Sequence, residues 1–450
     1  MQSEKLDVLV LGGGNAGIGA AVPARAAGLS VAIVEARDLG GTCPNRGCTP
    51  KKVLVAAAHA LHEIERASEH AIAVGRPTLD WAALIDREKH LIKDVPANLE
   101  RAMLKRGIAI IRGDASFVAP DAVRIGDRLI EAKTIVIATG SKPRPLTFPG
   151  AEALITSDEM LSERTLPRSV VFVGGGVISL EFGHVYARAG ARVTILEVLP
   201  QLLPALDADA VARLQAESER IGITIHTGVK VNGIEQAGDE YRVVFEQGGR
   251  ELSASGTRIV NGAGRIANVD ALDLAAGNVA HANGRISVDD YLRSTSNPRV
   301  YVCGDAVPTS PQLSPIATYE GDIVGRNLVH GPKHTPDYAS VPTSVYTVPP
   351  LASVGLTEAA ARQKIPKVKV RTTDMLSWFS ARTYAETVAW SKIIIDEATD
   401  LIVGAHFVGH SGEELINLFG MAMGCGITAS QMRERIYAYP TFSSDIKNLL

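Results

Sequence analysis

Two cysteines near the start of the chain, Cys43 and Cys48, have the type and spacing that redox chemistry requires. A pair that alternates between dithiol and disulfide must bring its Cα atoms within roughly 4.4–6.8 Å. The first turn of a helix holds residues at that reach, and its N-terminus favours a thiolate at Cys48. Taken alone, the spacing favours a structural disulfide, half of a metal site or chance over redox catalysis.

The segment before the cysteines predicts a dinucleotide site. A buried strand leads into Gly12, Gly14 and Gly17, an alanine-rich helix follows, and a second strand ends at Glu35. A strand, G-x-G-x-x-G, a helix, a strand and an acid about 20 residues on form the dinucleotide-binding fingerprint. The glycines let the backbone approach a pyrophosphate, and Glu35 can bind a ribose hydroxyl.

A second motif of this kind makes the chain a binder of two dinucleotides. A strand precedes Gly174 and Gly176, Ser179 replaces the third glycine, and the next strand ends at Glu197. No arginine or lysine follows at residues 198–201, where a 2′-phosphate would require a cation, so NADH is favoured over NADPH. The alternative is an exposed acid at a strand end, with specificity decided elsewhere.

Composition excludes several function classes. The 450 residues suggest two to four domains, and 46% apolar residues suffice for real cores. A net charge of −3 without a long basic run argues against nucleic acid. No apolar run reaches the ~18 residues of a membrane span, and Met1 is followed by a predicted strand rather than a signal peptide. We therefore expect a soluble cytoplasmic protein without a disulfide scaffold.

Further elements follow from periodicity and turn residues. A third, α+β module is predicted from Pro336 onward. The predicted helices are 53–69, 81–106 (interrupted near Pro96), 181–189, 413–424 and 429–438, and the predicted strands are 109–111, 123–125, 128–130, 134–137, 170–173, 192–196, several within 221–260, 301–302, 391–396 and 402–408.

Five motifs occur in order along essentially the whole chain. They are the first glycine run, G-G-T-C-x-N-x-G-C-x-P, an A-T-G-S turn, the second glycine run, and a G-D segment followed by residues 313–317. Together they resemble the FAD-dependent pyridine nucleotide–disulfide oxidoreductases, the family of glutathione reductase, dihydrolipoamide dehydrogenase and mercuric reductase.

The resemblance implies an α/β fold with two Rossmann-like dinucleotide-binding domains, for FAD and NAD, and a C-terminal α+β dimerisation domain. The FAD domain would comprise residues 1–145 and 264–335. The NAD(P) domain would be residues 146–263, and the dimerisation domain residues 336–450. A homodimer is expected.

The resemblance also assigns roles. Electrons would pass from NADH, or NADPH, through FAD to a Cys43–Cys48 disulfide and on to a small disulfide. Cys48 would face the flavin as the charge-transfer thiolate, and Cys43 would attack substrate. Lys51, or else Lys52, would pair with Glu181 near the flavin's reactive nitrogen. The other residues expected at the cofactors are Gly41, Thr42, Lys52, Thr139, Gly140, Gly264, Asp305, which would bind the ribityl chain, and Ala317.

The chain departs from this family at its C-terminal end. Disulfide reductases carry His-Pro-Thr-x-x-Glu there, reaching the partner subunit's flavin site. Here Tyr439 replaces the histidine and Ser444 the glutamate. A phenol with a pKa of about 10 exchanges protons poorly at neutral pH, and a lost acid–base group costs about 10²- to 10⁴-fold. Ordinary disulfide reduction is therefore expected to be slow.

The substrate stays open. Mercuric reductases carry the same tyrosine, but their vicinal C-terminal cysteines are missing from residues 448–450. Glutathione reductases that resemble this chain hold the tripeptide with arginines at two places; here residues 22–23 stand at the first place and Asp322 lies near the second. The leading hypothesis is a small disulfide that is neither glutathione nor clearly lipoamide. The alternatives are a metal-ion reductase and a non-catalytic redox sensor.

The two remaining cysteines, a pair of histidines and two aromatic residues are considered as further site candidates. Cys303 and Cys425 are interpreted as buried packing residues rather than metal ligands. His59 and His62 lie one helical turn apart and are interpreted as a helix face, so no metal site is predicted. Trp378 and Phe379 line either a substrate pocket or a dimer core.

Overall fold

A computed structural model describes residues 4–309 and 311–450. The chain divides into two compact units. The first unit comprises the described residues within Met1–Lys51, Asp86–Arg144 and Gly264–Pro336, and the second comprises Lys52–Ile85, Pro145–Ala263 and Asp337–Leu450. The domain boundaries given above remain predictions.

The secondary structure alternates helices and strands along most of the chain. Up to residue 144 the elements are β1 (Glu4–Leu11), α1 (Asn15–Ala26), β2 (Val31–Glu35), α2 (Thr42–Arg46), α3 (Cys48–Glu65), α4 (Trp81–Ile92), α5 (Val95–Lys105), β3 (Ala109–Arg112), β4 (Ala115–Ala119), β5 (Ala122–Ile125), β6 (Arg128–Ile137) and β7 (Ser141–Pro143). From there to residue 263 they are α6 (Ser157–Met160), β8 (Ser169–Val173), α7 (Val177–Arg188), β9 (Arg192–Glu197), α8 (Ala208–Arg220), β10 (Thr224–Thr227), β11 (Val229–Ala237), β12 (Glu240–Gln247), β13 (Arg250–Gly256) and β14 (Arg258–Asn261).

The remainder of the chain continues this numbering. Residues 264–336 contain β15 (Arg265–Ala267), β16 (His281–Ala282), β17 (Arg285–Ile286), β18 (Val300–Val302) and α9 (Ser314–His330). The last segment contains β19 (Thr343–Val345), β20 (Leu351–Gly355), α10 (Glu358–Lys364), β21 (Val368–Asp374), α11 (Phe379–Thr383), β22 (Ala389–Asp396), β23 (Ile402–Gly409), α12 (Gly412–Gly424), α13 (Ala429–Arg433) and α14 (Ile446–Leu449). Short 3-10 turns occupy Ala67–His70, Ala151–Ala153, Asp270–Leu272, Gly304–Ala306 and Phe442–Asp445.

The first unit is built on a seven-stranded sheet in the order β3-β2-β1-β6-β5-β4, with β18 also paired to β6. β1 pairs in parallel with β2 and β6, and β18 pairs in parallel with β6. Residues 8–11 of β1 are fully buried, as expected for a parallel strand covered on both faces. The parallel strands therefore bring the loops after β1, β6 and β18 to one edge of the sheet.

Helices α1 and α9 of the first unit approach each other through glycines. A Cβ on Gly321 would lie 2.3 Å from the Ala16 carbonyl oxygen, and one on Gly19 would lie 3.0 Å from the Thr318 carbonyl oxygen. α1 contains Pro23 and continues past it to Ala26. Backbone-to-backbone contact therefore sets the distance between these two helices.

The second unit contains three sheets. A four-stranded parallel sheet has the order β10-β9-β8-β14, and β11, β12 and β13 form an antiparallel sheet. A five-stranded antiparallel sheet runs β19-β20-β23-β22-β21, and α12 packs on it through residues 415, 416 and 419. Within the described residues no helix is long and apolar enough to cross a membrane.

Several predicted boundaries are corrected. The helix predicted at 53–69 begins at Cys48 and ends at Glu65, and the one predicted at 429–438 ends at Arg433. Beyond it the Tyr437 hydroxyl donates to the Met432 carbonyl, which turns the chain back. β4, α8, α10 and β21 were not predicted. β21 is a sheet-edge strand with a partly exposed, charge-rich sequence, and α8 is a strongly polar helix capped by Asp207.

Replacing Gly321 with alanine should destabilise the first unit by about 1–3 kcal/mol, because the new Cβ forces α9 away from α1. The free energy of unfolding in urea measures the effect. The matched control is Gly183→Ala in α7, where the nearest atom to the new Cβ lies 3.6 Å away. Equal stability of the two variants would contradict this account of helix packing.

Candidate active site

The first glycine motif forms a tight turn between β1 and α1. Gly12 has a φ of +110°, and a Cβ there would lie 2.3 Å from the Ala138 carbonyl oxygen. A Cβ on Gly17 would lie 1.9 Å from the Gly12 carbonyl oxygen. These positions exclude any side chain, so the N-terminus of α1 is open to a ligand phosphate through its backbone amides.

Glu35 closes this loop from the end of β2. One carboxylate oxygen accepts a hydrogen bond from the Gly13 amide at 2.8 Å, and the other accepts from the Arg37 amide at 2.7 Å. The carboxylate is thus held beside the glycines, in the place expected of a group that binds a ribose hydroxyl.

The residues around the first motif fit an FAD molecule. Gly14 and Gly40 form an isolated parallel bridge, and a Cβ on Gly41 would lie 2.8 Å from the Gly14 Cα. The buried Thr139 hydroxyl has no hydrogen-bond partner among the described residues, and the Thr139 backbone nitrogen lies 3.1 Å from where a Gly12 Cβ would be. A glycine cradle with an unsatisfied buried hydroxyl is what a bound polar cofactor would complete.

Asp305 lies in the same unit and is held by a short network. Its carboxylate accepts a hydrogen bond from the Ser141 hydroxyl at 2.7 Å, and that hydroxyl accepts one from Arg265 Nε at 2.9 Å. Ser141 directly follows the predicted turn residue Gly140, and Arg265 directly follows Gly264. A Cβ on Gly304 would lie 3.5 Å from Ala317 Cβ. The fold therefore groups these predicted cofactor residues.

Cys43 and Cys48 are brought together as two thiols at the junction of α2 and α3, where Thr42 is the first residue of α2. Cys43 is half-buried and Cys48 is exposed. The Cys48 thiol donates a hydrogen bond to Cys43 and lowers the Cys43 pKa to about 6, against the opposing effect of burial. The hydrogen bond from Cys48 thus favours the thiolate form of Cys43, and the thiolate predicted at Cys48 stays a prediction.

Ser314, at the first position of α9, also stabilises the Cys43 thiolate. Its hydroxyl hydrogen-bonds Cys43 and accepts a hydrogen bond from Asn15 Nδ2 at 2.6 Å, while the charge of Lys51 acts in the same direction. The contact between α1 and α9 thus places one hydroxyl against the reactive sulfur. Sequence reasoning missed Asn15 and Ser314, although Ser314 lies inside a quoted motif.

The other two cysteines lie apart from this pair. Cys303 is buried, and burial together with Glu320 raises its pKa, as expected of a packing residue. Cys425 is exposed, so the prediction that it is buried was wrong; it follows the end of α12. No group of three or more potential metal ligands occurs among residues 4–309 and 311–450.

The second glycine motif repeats the geometry of the first. Gly174 has a φ of +110°, and a Cβ there would lie 2.4 Å from the Gly262 carbonyl oxygen. Glu197 accepts hydrogen bonds from the Gly175 amide and, at 2.8 Å, from the Leu199 amide. Gly176 precedes α7, as Gly14 precedes α1. The second unit therefore repeats the loop construction of the first motif, as a second dinucleotide site requires.

Ser179 replaces the third glycine in this motif, and the fold accommodates it. Its hydroxyl donates to the Gly174 carbonyl at 2.5 Å. A Cβ on Gly262 would lie 1.9 Å from that hydroxyl oxygen, so a glycine across the loop leaves the room that the serine needs.

Glu181 is buried on α7 and accepts a hydrogen bond from the Tyr346 amide at 2.7 Å. The ammonium group of Lys52 lies 3.8 Å from the centre of the Tyr346 ring, a cation–π contact. Lys52, Tyr346 and Glu181 are thus grouped in the second unit. Lys51 belongs to the first unit, and its pairing with Glu181 stays a prediction.

Tyr439 is 80% exposed, at the start of the C-terminal segment 439–445. Ser444, in the place of the family's glutamate, closes its own turn through hydrogen bonds with Thr441. The next residue, Asp445, accepts hydrogen bonds from the Ser380 hydroxyl and, at 2.7 Å, from His410 Nε2. These two partners were missed because they lie far from Asp445 in sequence and in no motif.

The remaining candidates take structural positions. His62 is buried, and burial with the nearby Arg188 charge lowers its pKa to about 3, while His59 is exposed beside Glu63. Phe379 is exposed and Trp378 is partly buried against the C-terminal core.

Known proteins match this chain along its length. The pattern described as pyridine nucleotide-disulphide oxidoreductase matches residues 6–321, and that of the family's dimerisation domain matches residues 341–450. A dihydrolipoyl dehydrogenase from Chlorobaculum tepidum is 31% identical, covering 98% of this chain and 96% of the relative. One from Thermus scotoductus is 33% identical, with 98% and 95% covered.

Solved structures agree. The HOCl-induced flavoprotein disulfide reductase RclA from Escherichia coli superimposes with a TM-score of 0.87 at 26% identity, covering 98% of this chain and 99% of that one. Its Cu(II) complex gives a TM-score of 0.88 at 26% identity, with 100% and 99% covered.

The two glycine motifs and the adjacent thiols define a flavoprotein with a redox-active cysteine pair. The chain belongs to the pyridine nucleotide–disulfide oxidoreductase family. It is an NAD(P)H-dependent flavoprotein disulfide reductase that uses FAD and NAD(H), as the sequence analysis predicted.

Removing the Ser314 hydroxyl should raise the pKa of Cys43. Because that pKa is lowered to about 6, the thiolate is present above that pH and is lost below it. In dithiothreitol-reduced enzyme, alkylation of Cys43 by iodoacetamide should rise with a midpoint near pH 6, and Ser314→Ala should move the midpoint to higher pH.

Mass spectrometry of the alkylated peptide measures the rate at each pH. The control is Thr318→Val on the same helix, whose hydroxyl donates to the Ser314 carbonyl at 3.3 Å. An unchanged midpoint in Ser314→Ala would show that the Ser314 hydroxyl does not lower the pKa of Cys43.

Proposed function

We propose that this chain is an NADH-dependent reductase that uses Cys43 and Cys48 to reduce a small disulfide. The observation that carries the proposal is the adjacent thiol pair, in which Cys48 donates a hydrogen bond to Cys43 and lowers the pKa of Cys43 to about 6. A thiolate is the nucleophile in disulfide exchange, and a thiol with a pKa near the ambient pH attacks efficiently.

The cysteines perform two exchange reactions. The Cys43 thiolate attacks one sulfur of the substrate disulfide, forms a mixed disulfide and releases the first substrate thiolate. The released substrate thiolate takes the Cys48 proton, and the Cys48 thiolate then attacks the Cys43 sulfur and releases the second substrate thiolate. Two electrons have moved from the dithiol to the substrate, and a Cys43–Cys48 disulfide remains. When bound, FAD and NADH together supply the two electrons that restore the dithiol.

The chain's own residues support this cycle. The Ser314 hydroxyl and the Lys51 charge stabilise the Cys43 thiolate before attack. The first glycine motif and Glu35 hold one dinucleotide, and the second glycine motif and Glu197 hold the other, with Glu197 at its ribose. We infer NADH rather than NADPH because no cation follows Glu197 at residues 198–201 to bind a 2′-phosphate.

We also infer a homodimer in which Tyr439 of one subunit reaches the thiols of the other. The match to the dimerisation domain over residues 341–450 supports this. So does the exposure of Phe379, Ile436 and Tyr439, which are large apolar or aromatic side chains open to a partner. Sedimentation equilibrium of the FAD-loaded enzyme tests the homodimer.

The chemical class of the substrate follows from what the chain lacks. Asp322 pairs with Arg326 on the same helix, and neither it nor residues 22–23 can bind the carboxylates of glutathione. A panel of lipoamide, oxidised glutathione, cystine and aromatic disulfides, read by NADH consumption, tests the proposal. A small disulfide other than glutathione should be reduced fastest. Reduction of none of them would overturn it.

A second candidate is reduction of a soft metal ion, because two adjacent thiols, of which Cys43 has a lowered pKa, suit such ions. The similar structure determined as a Cu(II) complex favours testing it. Consumption of NADH that depends on Cu(II) or Hg(II), and not on disulfides, would favour this candidate. If NADH reduces the flavin but neither class of acceptor reoxidises the enzyme, a redox-sensing role is favoured instead.

Cys43→Ser should abolish disulfide turnover while NADH still bleaches the bound flavin, because the substrate loses its nucleophile but the nucleotide sites are untouched. Stopped-flow absorbance and steady-state NADH consumption measure the two half-reactions. Cys425→Ser, which changes an exposed thiol outside the pair, serves as control and should leave both unchanged. Turnover surviving in Cys43→Ser would contradict the assignment.

Tyr439→His should raise the rate of disulfide turnover, by up to the roughly 10²- to 10⁴-fold that a positioned acid–base group contributes. An imidazole can protonate the leaving thiolate near neutral pH, which the tyrosine phenol does poorly. The kcat for the disulfide that is reduced fastest is compared between Tyr439→His and Tyr439→Phe, because the phenylalanine has no group that can transfer a proton. A rate equal to that of the Phe variant would show that the missing histidine does not limit turnover.

A further inference from the structure

Lys392 of β22 is a buried cation at the centre of a carboxylate cluster in the second unit. Its side chain is 3% exposed, and its ammonium nitrogen lies 2.9 Å from Asp207, 2.7 Å from Asp209 and 2.9 Å from Glu358. Removing a buried cation from such a cluster leaves unpaired carboxylates behind, which is far costlier than losing a surface ion pair. Nothing in the disulfide exchange described above uses Lys392.

The cluster lies on one face of the five-stranded sheet. Alternating residues of β22 point to opposite faces, so Trp390 packs in the core beneath the parallel sheet and Ile393 packs in the core against α12. Lys392 shares the face of Trp390. The lysine therefore points towards the nucleotide-binding part of the unit.

The ion pair with Lys392 holds the Asp207 carboxylate in place. Besides its ion pair with Lys392, the Asp207 carboxylate accepts two backbone hydrogen bonds. The Asp209 amide donates at 3.2 Å, which caps α8, and the Glu358 amide donates at 3.1 Å, at the start of α10. Burial alone would raise the pKa of Asp207, but the Lys392 ammonium and the Glu358 amide outweigh burial and lower it. The buried carboxylate is thus ionised and satisfied on every side.

The segment that ends at Asp207 begins at Glu197 and wraps around the second glycine motif. The Leu203 amide donates to the Gly175 carbonyl at 3.2 Å, and a Cβ on Gly175 would lie 2.4 Å from Leu202 Cδ2. The Leu199 amide donates to the Glu197 carboxylate at 2.8 Å. Leu203 itself has a φ of +46°, a strained value that surrounding contacts must hold. Residues 198–207 therefore set the position of both the glycine turn and the acid.

We propose that Lys392 is a positioning residue for NADH: by anchoring Asp207 it holds segment 198–207, and through it Glu197 and the Gly175 turn, in the nucleotide-binding conformation. This inference rests on the proposed function, in which Glu197 binds the NADH ribose. Lys392 does not touch the nucleotide and acts only through the segment.

The test compares Lys392→Met with wild type as FAD-loaded enzyme. The Michaelis constant for NADH should rise roughly 3- to 30-fold, the range of coupling through a packed element, while kcat and the Michaelis constant for the disulfide stay unchanged. The dissociation constant of NAD⁺ for the oxidised enzyme, measured by calorimetry, should rise by the same factor. Glu358→Gln, which keeps the lysine and removes one carboxylate, should show a smaller rise in both constants.

Ile393→Ala is the matched control on the same strand, since it opens a cavity on the opposite face and should lower the melting temperature without moving either NADH constant. If Lys392→Met lowers the melting temperature but leaves the Michaelis constant for NADH and the dissociation constant of NAD⁺ unchanged, Lys392 is only structural and the inference is overturned. Should Lys392→Met fail to fold, the same result in Glu358→Gln overturns the inference. Glu197→Gln distinguishes failure of the Lys392 inference from failure of the proposed ribose site. Weakened NAD⁺ binding in Glu197→Gln alone overturns the inference but keeps the proposed ribose site, whereas unchanged binding in Glu197→Gln overturns the ribose site itself.

Discussion

Close approach of backbone to backbone at the glycine turns is the constraint on which the rest of this structure depends. At Gly12 and at Gly174 a single added carbon would lie within 2.4 Å of a carbonyl oxygen on a neighbouring loop. This contact lets each strand turn directly into a helix whose N-terminal amides face a ligand. In both motifs an acid at the end of the next strand accepts a hydrogen bond from the amide of the glycine directly after the turn, Gly13 or Gly175, so the two sites share one construction.

A related contact organises the redox centre. Gly321 lets α9 lie against α1, which brings Ser314 to Asn15 and to the Cys43 sulfur. The acidity of that thiol thus depends on helix packing as well as on its neighbour Cys48. At the second nucleotide site the supporting contacts are ionic instead, because the segment after Glu197 ends at a carboxylate held by a buried lysine. Cys43 and the segment after Glu197 are thus held by residues outside their own motifs.

The sequence predicted the parts that local spacing determines, namely both glycine turns, their acids, the cysteine pair and the family. It did not predict contacts between residues far apart in the chain, such as Ser314 with Cys43, Lys392 with Asp207 or His410 with Asp445, because no periodicity encodes them. β21 was missed because it is a partly exposed, charge-rich strand at a sheet edge, and α8 because its sequence is polar overall although five of its residues are buried. Cys425 was misjudged because apolar neighbours in sequence do not ensure burial at a helix end.

A count of thiols tests most directly whether electrons from NADH arrive at the Cys43–Cys48 pair. The chain has four cysteines. Air-oxidised holoenzyme, denatured and titrated with a thiol reagent, should show two thiols per chain, and anaerobic treatment with NADH before denaturation should raise the count to four. A count that NADH leaves unchanged, in protein that retains FAD, would contradict the account.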